Sequence, residues 1–207
     1  MGSKAWQLGS PGSLPYRFYD ALRRRLNFKL VQYLLTNAIT FGENKVLEAG
    51  SGPAFASSVI AADPRVAMSI AVDFDLEALH EARRRDRSLL LVLADVHALP
   101  FRTGSLDLTW NSSTVEHLPD PASALAEMER VTRASGTVFV GVPNRYGPLG
   151  FEQWIRNTSA GIWIGKTFSL AELKEMTTRA GLTPKDSLHY FFRFFVGILA
   201  EKERTSR

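Results

Sequence analysis

The chain has 207 residues, of which 45% are hydrophobic and 22% charged, and its net charge is +4. That suffices for one sizeable core, leaves two full domains cramped, and is too apolar and too evenly charged for a disordered chain. Cysteine is absent, which excludes disulfides, thiolate nucleophiles and Cys-ligated metals and fits a reducing cytoplasm.

Residues 1–15, MGSKAWQLGSPGSLP, lack the apolar region of a secretory signal and read as a flexible tail; residues 16–207 read as a single domain. Tyr19, Leu22, Leu26, Leu30 and Tyr33 recur at spacings of three and four and predict a helix over 16–37. A strand is expected at Lys45–Ala49, a short helix over 54–62, and a second strand at Ala67–Val72. Asp75 is placed to cap a helix reaching about Arg85. The wholly apolar Leu89–Leu93 has the pattern of a strand buried on both faces of a parallel sheet. A fourth strand follows at Ser105–Trp110, then a helix opened by Asp120-Pro121, then a fifth strand at Thr137–Val142. Residues 143–167 are poorly periodic and rich in Gly, Trp and Asn, which suits a lid or acceptor-pocket insertion. Ser169-Leu170-Ala171-Glu172 is a capping box, Gly181 sits where a helix ends, and 184–201 are expected to form a closing pair of strands. The basic triplets Arg23-Arg24-Arg25 and Arg83-Arg84-Arg85 read as solvated helix faces. The apolar run from Tyr190 to Ala200 is interrupted by Arg193 and is too short to span a bilayer, so a soluble protein is expected.

Strands alternating with helices predict a doubly wound, Rossmann-like α/β sheet covered on both faces, with ligands at the carboxyl ends of the strands. Gly50-Ser51-Gly52 after the first strand, Asp73 after the second, Asp95 after the third and Asn111 after the fourth then share one rim. A dinucleotide fingerprint would need a small residue where Phe55 stands, and a P-loop would need a Gly-Lys-Ser/Thr ending that is missing. Acids at successive strand ends repel a pyrophosphate but suit ribose hydroxyls, an exocyclic amine and an ammonium group. S-adenosylmethionine has those groups and no phosphate.

The segments VLEAGSGPA, AVDFD, LADVHALPF, GSLDLTW and STVEHLPDP, in that order, resemble a class I S-adenosylmethionine-dependent methyltransferase of the small-molecule type with the generic methyltransferase domain. The likeness is strong over roughly residues 40–145 and continues weakly through VPN and FSLAELKEMTTRAGL. It implies about seven strands, mostly parallel with an antiparallel last strand, and S-adenosylmethionine as cofactor, leaving S-adenosylhomocysteine. It also implies that Glu48 orders the glycine turn and helps bind the methionine ammonium, that Gly50, Ser51 and Gly52 approach the ligand, and that Asp73 binds the ribose hydroxyls with Phe74 against the adenine. Asp95 would accept from the adenine amine beside Val96, and Asn111 would lie near the methionine part. The family often has a third glycine where Ala54 stands, so a slightly reshaped turn is expected.

Bland roles compete with these. Asp73 and Asp95 could cap the elements that follow them, and Glu48 could pair with Lys45. His97 and His189 show no partner pattern and read as structural or surface residues, and scattered histidines give no metal site. The aromatic cluster Tyr190–Phe195 reads as core, whereas Trp154, Trp163 and Tyr146 read as lid or acceptor pocket. If the acceptor must lose a proton, His117, Tyr146 and Glu152 are the candidate bases. The acceptor is expected to be a small molecule, with an apolar or lipid-like one and peripheral membrane contact compatible with the chain, and no nucleic acid. Two rivals stay open: a catalytically inactive S-adenosylmethionine-binding partner subunit, and a nicotinamide oxidoreductase.

Overall fold

The computed structural model describes residues 27–156 and 165–203. The predicted tail, the first part of the predicted N-terminal helix with Arg23-Arg24-Arg25, and Trp163 lie outside the described residues. Helix α1 covers 27–37. Then follow β1 (Asn44–Ala49), α2 (Phe55–Ala61), β2 (Val66–Asp73), α3 (Leu76–Arg85), β3 (Leu90–Leu93), β4 (Leu106–Ser112), a 3-10 turn (Val115–His117) and α4 (Pro121–Val131). The remainder is β5 (Thr132–Pro143), α5 (Pro148–Arg156), α6 (Leu170–Arg179), β6 (Leu182–Tyr190) and β7 (Phe195–Lys202).

The seven strands form one sheet in the order β3-β2-β1-β4-β5-β7-β6. Strand β1 pairs in parallel with β2 and β4, as do β2 with β3 and β4 with β5, while β7 runs antiparallel to both β5 and β6. The strand order reverses direction at β1/β4, where the chain leaves β1 to build outward on one side and returns to build on the other. A crevice at the carboxyl ends of the strands is the consequence.

Side-chain alternation assigns the two faces. Val138, Val140 and Val142 of β5 pack with Leu47, Val72, Ile198, Leu125, Met128 and Leu173 under α4 and α6. Phe139 points the other way and packs with Trp110, Leu199, Leu30, Leu34 and Ile60 under α1 and α2. Helix starts are chemically fixed. Asp75 accepts from Glu77 N at 3.0 Å, and Asp120 accepts from Ser123 N at 3.2 Å with Pro121 in the first turn. Ser169 and Glu172 close a reciprocal capping box.

Three expectations are corrected. Strand β3 is one edge of the sheet and is not buried on both faces; Leu90 and Leu93 are exposed, and among the described residues no strand pairs beyond β3. The poorly periodic stretch holds a helix, α5, started by Pro148. Strand β5 begins five residues before Thr137, because Ser135 takes a left-handed φ of 58° and lets the ladder resume across an irregularity opposite Leu106/Leu108.

Ala54, at the start of α2, is fully buried with φ 52°. L-residues pay a steric penalty there that glycine does not. Ala54→Gly should therefore raise the unfolding free energy by about 1 kcal/mol, measured by urea denaturation of the cofactor-free protein; an unchanged or lower midpoint would refute strain at this position.

Candidate functional site

Between β1 and α2 the chain makes a turn in which Gly50 (φ 77°), Gly52 (φ 52°) and Ala54 (φ 52°) are all left-handed. Four elements hold it. Asp73 at the end of β2 accepts from Gly52 N at 2.6 Å. Thr114 donates to the Gly50 carbonyl at 3.0 Å. Arg85, in the last turn of α3, donates to the Pro53 carbonyl at 2.8 Å and lies 5.7 Å from the Phe55 ring centroid. Glu48, buried at the end of β1, accepts from Ser57 Oγ at 2.5 Å and Ser57 N at 3.1 Å. Glu48 thus orders the turn by anchoring α2, and Arg85 is no mere solvated face. A side chain at Gly50 is excluded twice: its φ favours glycine, and a Cβ would come 2.2 Å from Thr114 Cγ2.

Asp73 is buried, and its second oxygen accepts from Asp75 N at 2.9 Å. A carboxylate offers about four lone-pair sites, so two are left for hydroxyls. Phe74, next in the chain, is 73% exposed, with Leu76 and Leu93 also open beside it at the strand ends. Val96 is buried in the α4-side core. Asp95 has a 66% exposed side chain and bonds His97 through both that residue's amide N at 2.9 Å and its ring Nδ1 at 2.6 Å. Those bonds, the amide first, hold the Asp95 carboxyl below its usual range. His97 therefore has a partner pattern after all. The spacing Asp-x-His carried that signal, since an Asp side chain commonly accepts from the backbone two residues on.

The end of β4 carries the polar groups of the opposite wall. Asn111 is buried and directs its amide nitrogen at Met128 Sδ, 3.6 Å away on α4, while its Oδ1 has no hydrogen-bond partner among the described residues. Ser112 Oγ and Tyr190 OH share a 2.7 Å hydrogen bond, with the phenol filling the space that a Cβ on Gly141 would need. Ser113 takes a left-handed φ of 67° and turns the chain over Gly50. Glu116 follows, fully buried, with neither carboxyl oxygen in a well-formed hydrogen bond among the described residues. Burial pushes its carboxyl up to about 8; the Glu116 amide, the Ser113 hydroxyl and the Thr114 amide oppose that weakly. His117 is partly exposed, and its Nε2 lies 3.9 Å from Glu116 Oε1. Burial likewise raises the Tyr190 phenol, well beyond the reach of a base at neutral pH.

On the outer side, Tyr146 is 83% exposed, and the side chain of Glu152 lies outside the described residues. A cavity of about 300 Å³ opens between the loop after β5, the start of α6 and the β6–β7 turn, with Tyr146, Ser169, His189 and Arg193 in its lining. The turn itself is strained, since Phe191, Phe192 and Arg193 all have φ between 52° and 66°. Asn144 holds it by donating from Nδ2 to the Arg193 carbonyl at 3.1 Å and from its amide to the Phe194 carbonyl at 2.8 Å. Tyr190 and Phe195 are core, as expected, but Phe192 is exposed. Glu116 and Tyr190 were missed as site groups because a Glu before a His in a short turn, and a Tyr in an aromatic run, look ordinary in sequence.

The wall is acidic at three successive strand ends, and Asp95 keeps one oxygen open. Such a rim fits a nucleoside with free hydroxyls and amines and does not fit a pyrophosphate. Comparison with known proteins agrees. Residues 47–140 match the family model described as a methyltransferase domain. A Mycobacterium tuberculosis protein named a probable S-adenosylmethionine-dependent methyltransferase is 38% identical over 100 residues, 48% of this chain and 36% of its own length. A Mycolicibacterium smegmatis protein of similar name is 31% identical over 146 residues, 70% of this chain and 54% of its own. The chain thus spans about half or less of the length of these curated relatives. Among solved structures, a geranyl diphosphate methyltransferase in complex with S-adenosylmethionine superposes with a TM-score of 0.71 at 18% identity, covering 94% of this chain and 93% of that one. A methyltransferase from the Haloferax volcanii complex with the Trm112 activator gives 0.75 at 17% identity, covering 91% and 95%. With the motifs in register on this sheet, the family model, the relatives and the shared fold together support a class I S-adenosylmethionine-dependent methyltransferase, with S-adenosylmethionine as the cofactor.

Proposed function

We propose that this protein transfers the methyl group of S-adenosylmethionine to a small-molecule acceptor. The supporting observation is the left-handed Gly50–Gly52 turn clamped by Asp73, beside Asp95 with an open carboxylate oxygen. Asp73 would hold the ribose hydroxyls, Asp95 the adenine amine, and Phe74 the adenine face. Gly50 and Gly52 would leave room for the amino-acid end, with Ser51 and the anchored Glu48 close to its ammonium. The cofactor supplies an activated methyl on a sulfonium, whose departing thioether needs no proton. The chain's own contribution is therefore positioning, which in favourable cases is worth effective molarities of roughly 10⁵–10⁸ M.

For a hydroxyl acceptor, His117 is the proposed base: its ring is partly exposed, and it stands just beyond Thr114, which touches the glycine turn. Buried Glu116 lies behind it, ready to favour an imidazolium when ionised. Tyr146 and the position of Glu152 on α5 lie farther out along the acceptor side. Exposed Tyr146, Phe151, Trp154 and Phe192, with Phe151 and Trp154 stacked at 5.9 Å, favour an apolar or lipid-like acceptor. Peripheral contact with a membrane surface is part of the same proposal. Among the described residues no helix is long and apolar enough to cross a membrane.

Three outcomes test this. Calorimetry should show binding of S-adenosylmethionine and S-adenosylhomocysteine but not NADH, and Asp73→Asn should weaken both by roughly 10–100-fold, as expected for charge-assisted bonds to hydroxyls. NADH binding, or an indifferent Asp73→Asn, would sink the assignment. Once an acceptor is found, His117→Ala should lower turnover with cofactor affinity kept; intact turnover would remove His117 as base. Finally, Glu116 has its folded-state pKa raised from 4.5 to about 8. Its contribution to stability is thus fully present below about pH 4.5 and lost as pH rises through about 8. Glu116→Gln should flatten the fall in melting temperature across that window and exceed wild type at higher pH, and parallel pH profiles for the two proteins would contradict its burial.

A further inference from the structure

Asp95 stands at the end of the sheet's edge strand with its two oxygens in different states. Oδ1 is taken twice by His97, through the amide at 2.9 Å and through ring Nδ1 at 2.6 Å. Among the described residues no hydrogen bond reaches Oδ2. The terminal torsion of an Asp side chain is broad and roughly two-fold, so an exposed, untethered carboxylate would not present one fixed acceptor. The ring that tethers it is itself held from behind. His97 Nε2 lies 3.2 Å from the carbonyl of Asp120, the residue that caps α4. Both partners of the ring are acceptors, so Nδ1–H donates to the carboxylate, and the doubly protonated ring donates to both.

We propose that His97 is the positioning residue that makes Asp95 read adenine: by occupying Oδ1 it aims Oδ2 as a fixed acceptor for the exocyclic amine, and so sets discrimination against a 6-oxopurine. A carbonyl in place of the amine would face the carboxylate with a second acceptor, leaving both unpaired. The bond from His97 also keeps Asp95 ionised, and hence acceptor-only, to lower pH. The inference rests on the reading of Asp95 as the adenine contact.

The two ring nitrogens can be separated. In His97→Asn the side-chain amide nitrogen replaces Nδ1 and can still reach Asp95; in His97→Gln it replaces Nε2 and can reach only Asp120. Calorimetric titration would compare S-adenosylhomocysteine with S-inosylhomocysteine on wild type, Asp95→Asn, and the Asn, Gln and Ala variants at position 97, each checked for folding by circular dichroism. Wild type should prefer the adenosyl ligand, and Asp95→Asn should abolish the preference. His97→Asn should keep most of it. His97→Gln and His97→Ala should lose about tenfold in adenosyl affinity, part of one charge-assisted bond, with the inosyl ligand little affected. If Asp95→Asn retained the preference, Asp95 would not be the adenine partner and the inference would fall with that reading. If Asp95→Asn lost the preference while His97→Ala or His97→Gln kept it, Asp95 would stand and the role of His97 would be refuted. Retention in Gln with loss in Asn would likewise overturn it, since the ring would then serve only to tie the loop to α4. Failure of wild type to bind the adenosyl ligand would remove the cofactor reading itself.

Discussion

The site depends on one backbone problem: a chain of L-residues must leave β1, reverse, and enter α2 within five residues. Three of those residues are left-handed, and one of the three is an alanine. Such a turn does not stand by itself. It stands because Asp73, Thr114, Arg85 and Glu48, arriving from β2, the segment after β4, α3 and β1, each bind a different part of it or of the helix it enters. The same carboxylate that would meet the ligand's hydroxyls thus also holds the turn that would receive the ligand's other end. Structural support and binding are one interaction, which explains why acids fill these strand ends without being repelled into solvent.

The opposite wall follows a different logic. At and after the end of β4, Asn111 Oδ1 and both carboxyl oxygens of Glu116 are buried without a well-formed hydrogen bond among the described residues, while Tyr190 OH pairs with Ser112 Oγ. Unpaired buried polar groups destabilise a fold by roughly 1–3 kcal/mol each. They lie next to the segment from which Thr114 touches Gly50. Well-paired groups therefore line the ends of β1 and β2, and under-paired groups line the end of β4.

Much of this was legible in the sequence because local chemistry dictates it. Asp75, Asp120-Pro121 and Ser169-x-x-Glu172 are helix starts by side-chain hydrogen bonding alone, and each opens the helix it was expected to open. The β-branched and aromatic residues of Thr137–Val142 favour a strand by propensity. Features set by tertiary neighbours were not legible. Leu89–Leu93 is apolar enough for a central strand, and only the order of the sheet makes β3 an edge. Helix α5 lies in a stretch whose glycines and tryptophans hide any period. Arg85 reaches a carbonyl 32 residues away, and the second partner of the His97 ring is a carbonyl 23 residues away, which no local pattern announces. Asn111, expected just past the fourth strand, lies within β4, and its amide faces Met128 because a side chain inside a strand must choose a face and position 111 falls on that of α4.

The order of the strands has a further consequence for how the molecule comes into being. Strand β7 is inserted between β5 and β6, so β5 keeps a bare edge until the chain has been made as far as residue 202. Until then the nascent protein is a five-stranded sheet whose last strand carries Val138, Phe139, Val140 and Val142 with no neighbour on one side. Edges of that composition invite pairing with other chains. On the ribosome, β1 to β5 and the glycine turn are complete early, while Tyr190 and the strand that covers β5 arrive together in one hairpin. The left-handed residues of that hairpin's turn, seated on Asn144, thus govern when the apolar edge of β5 is covered: before the hairpin forms the edge is open to other chains, and once β7 pairs with it the edge is shielded.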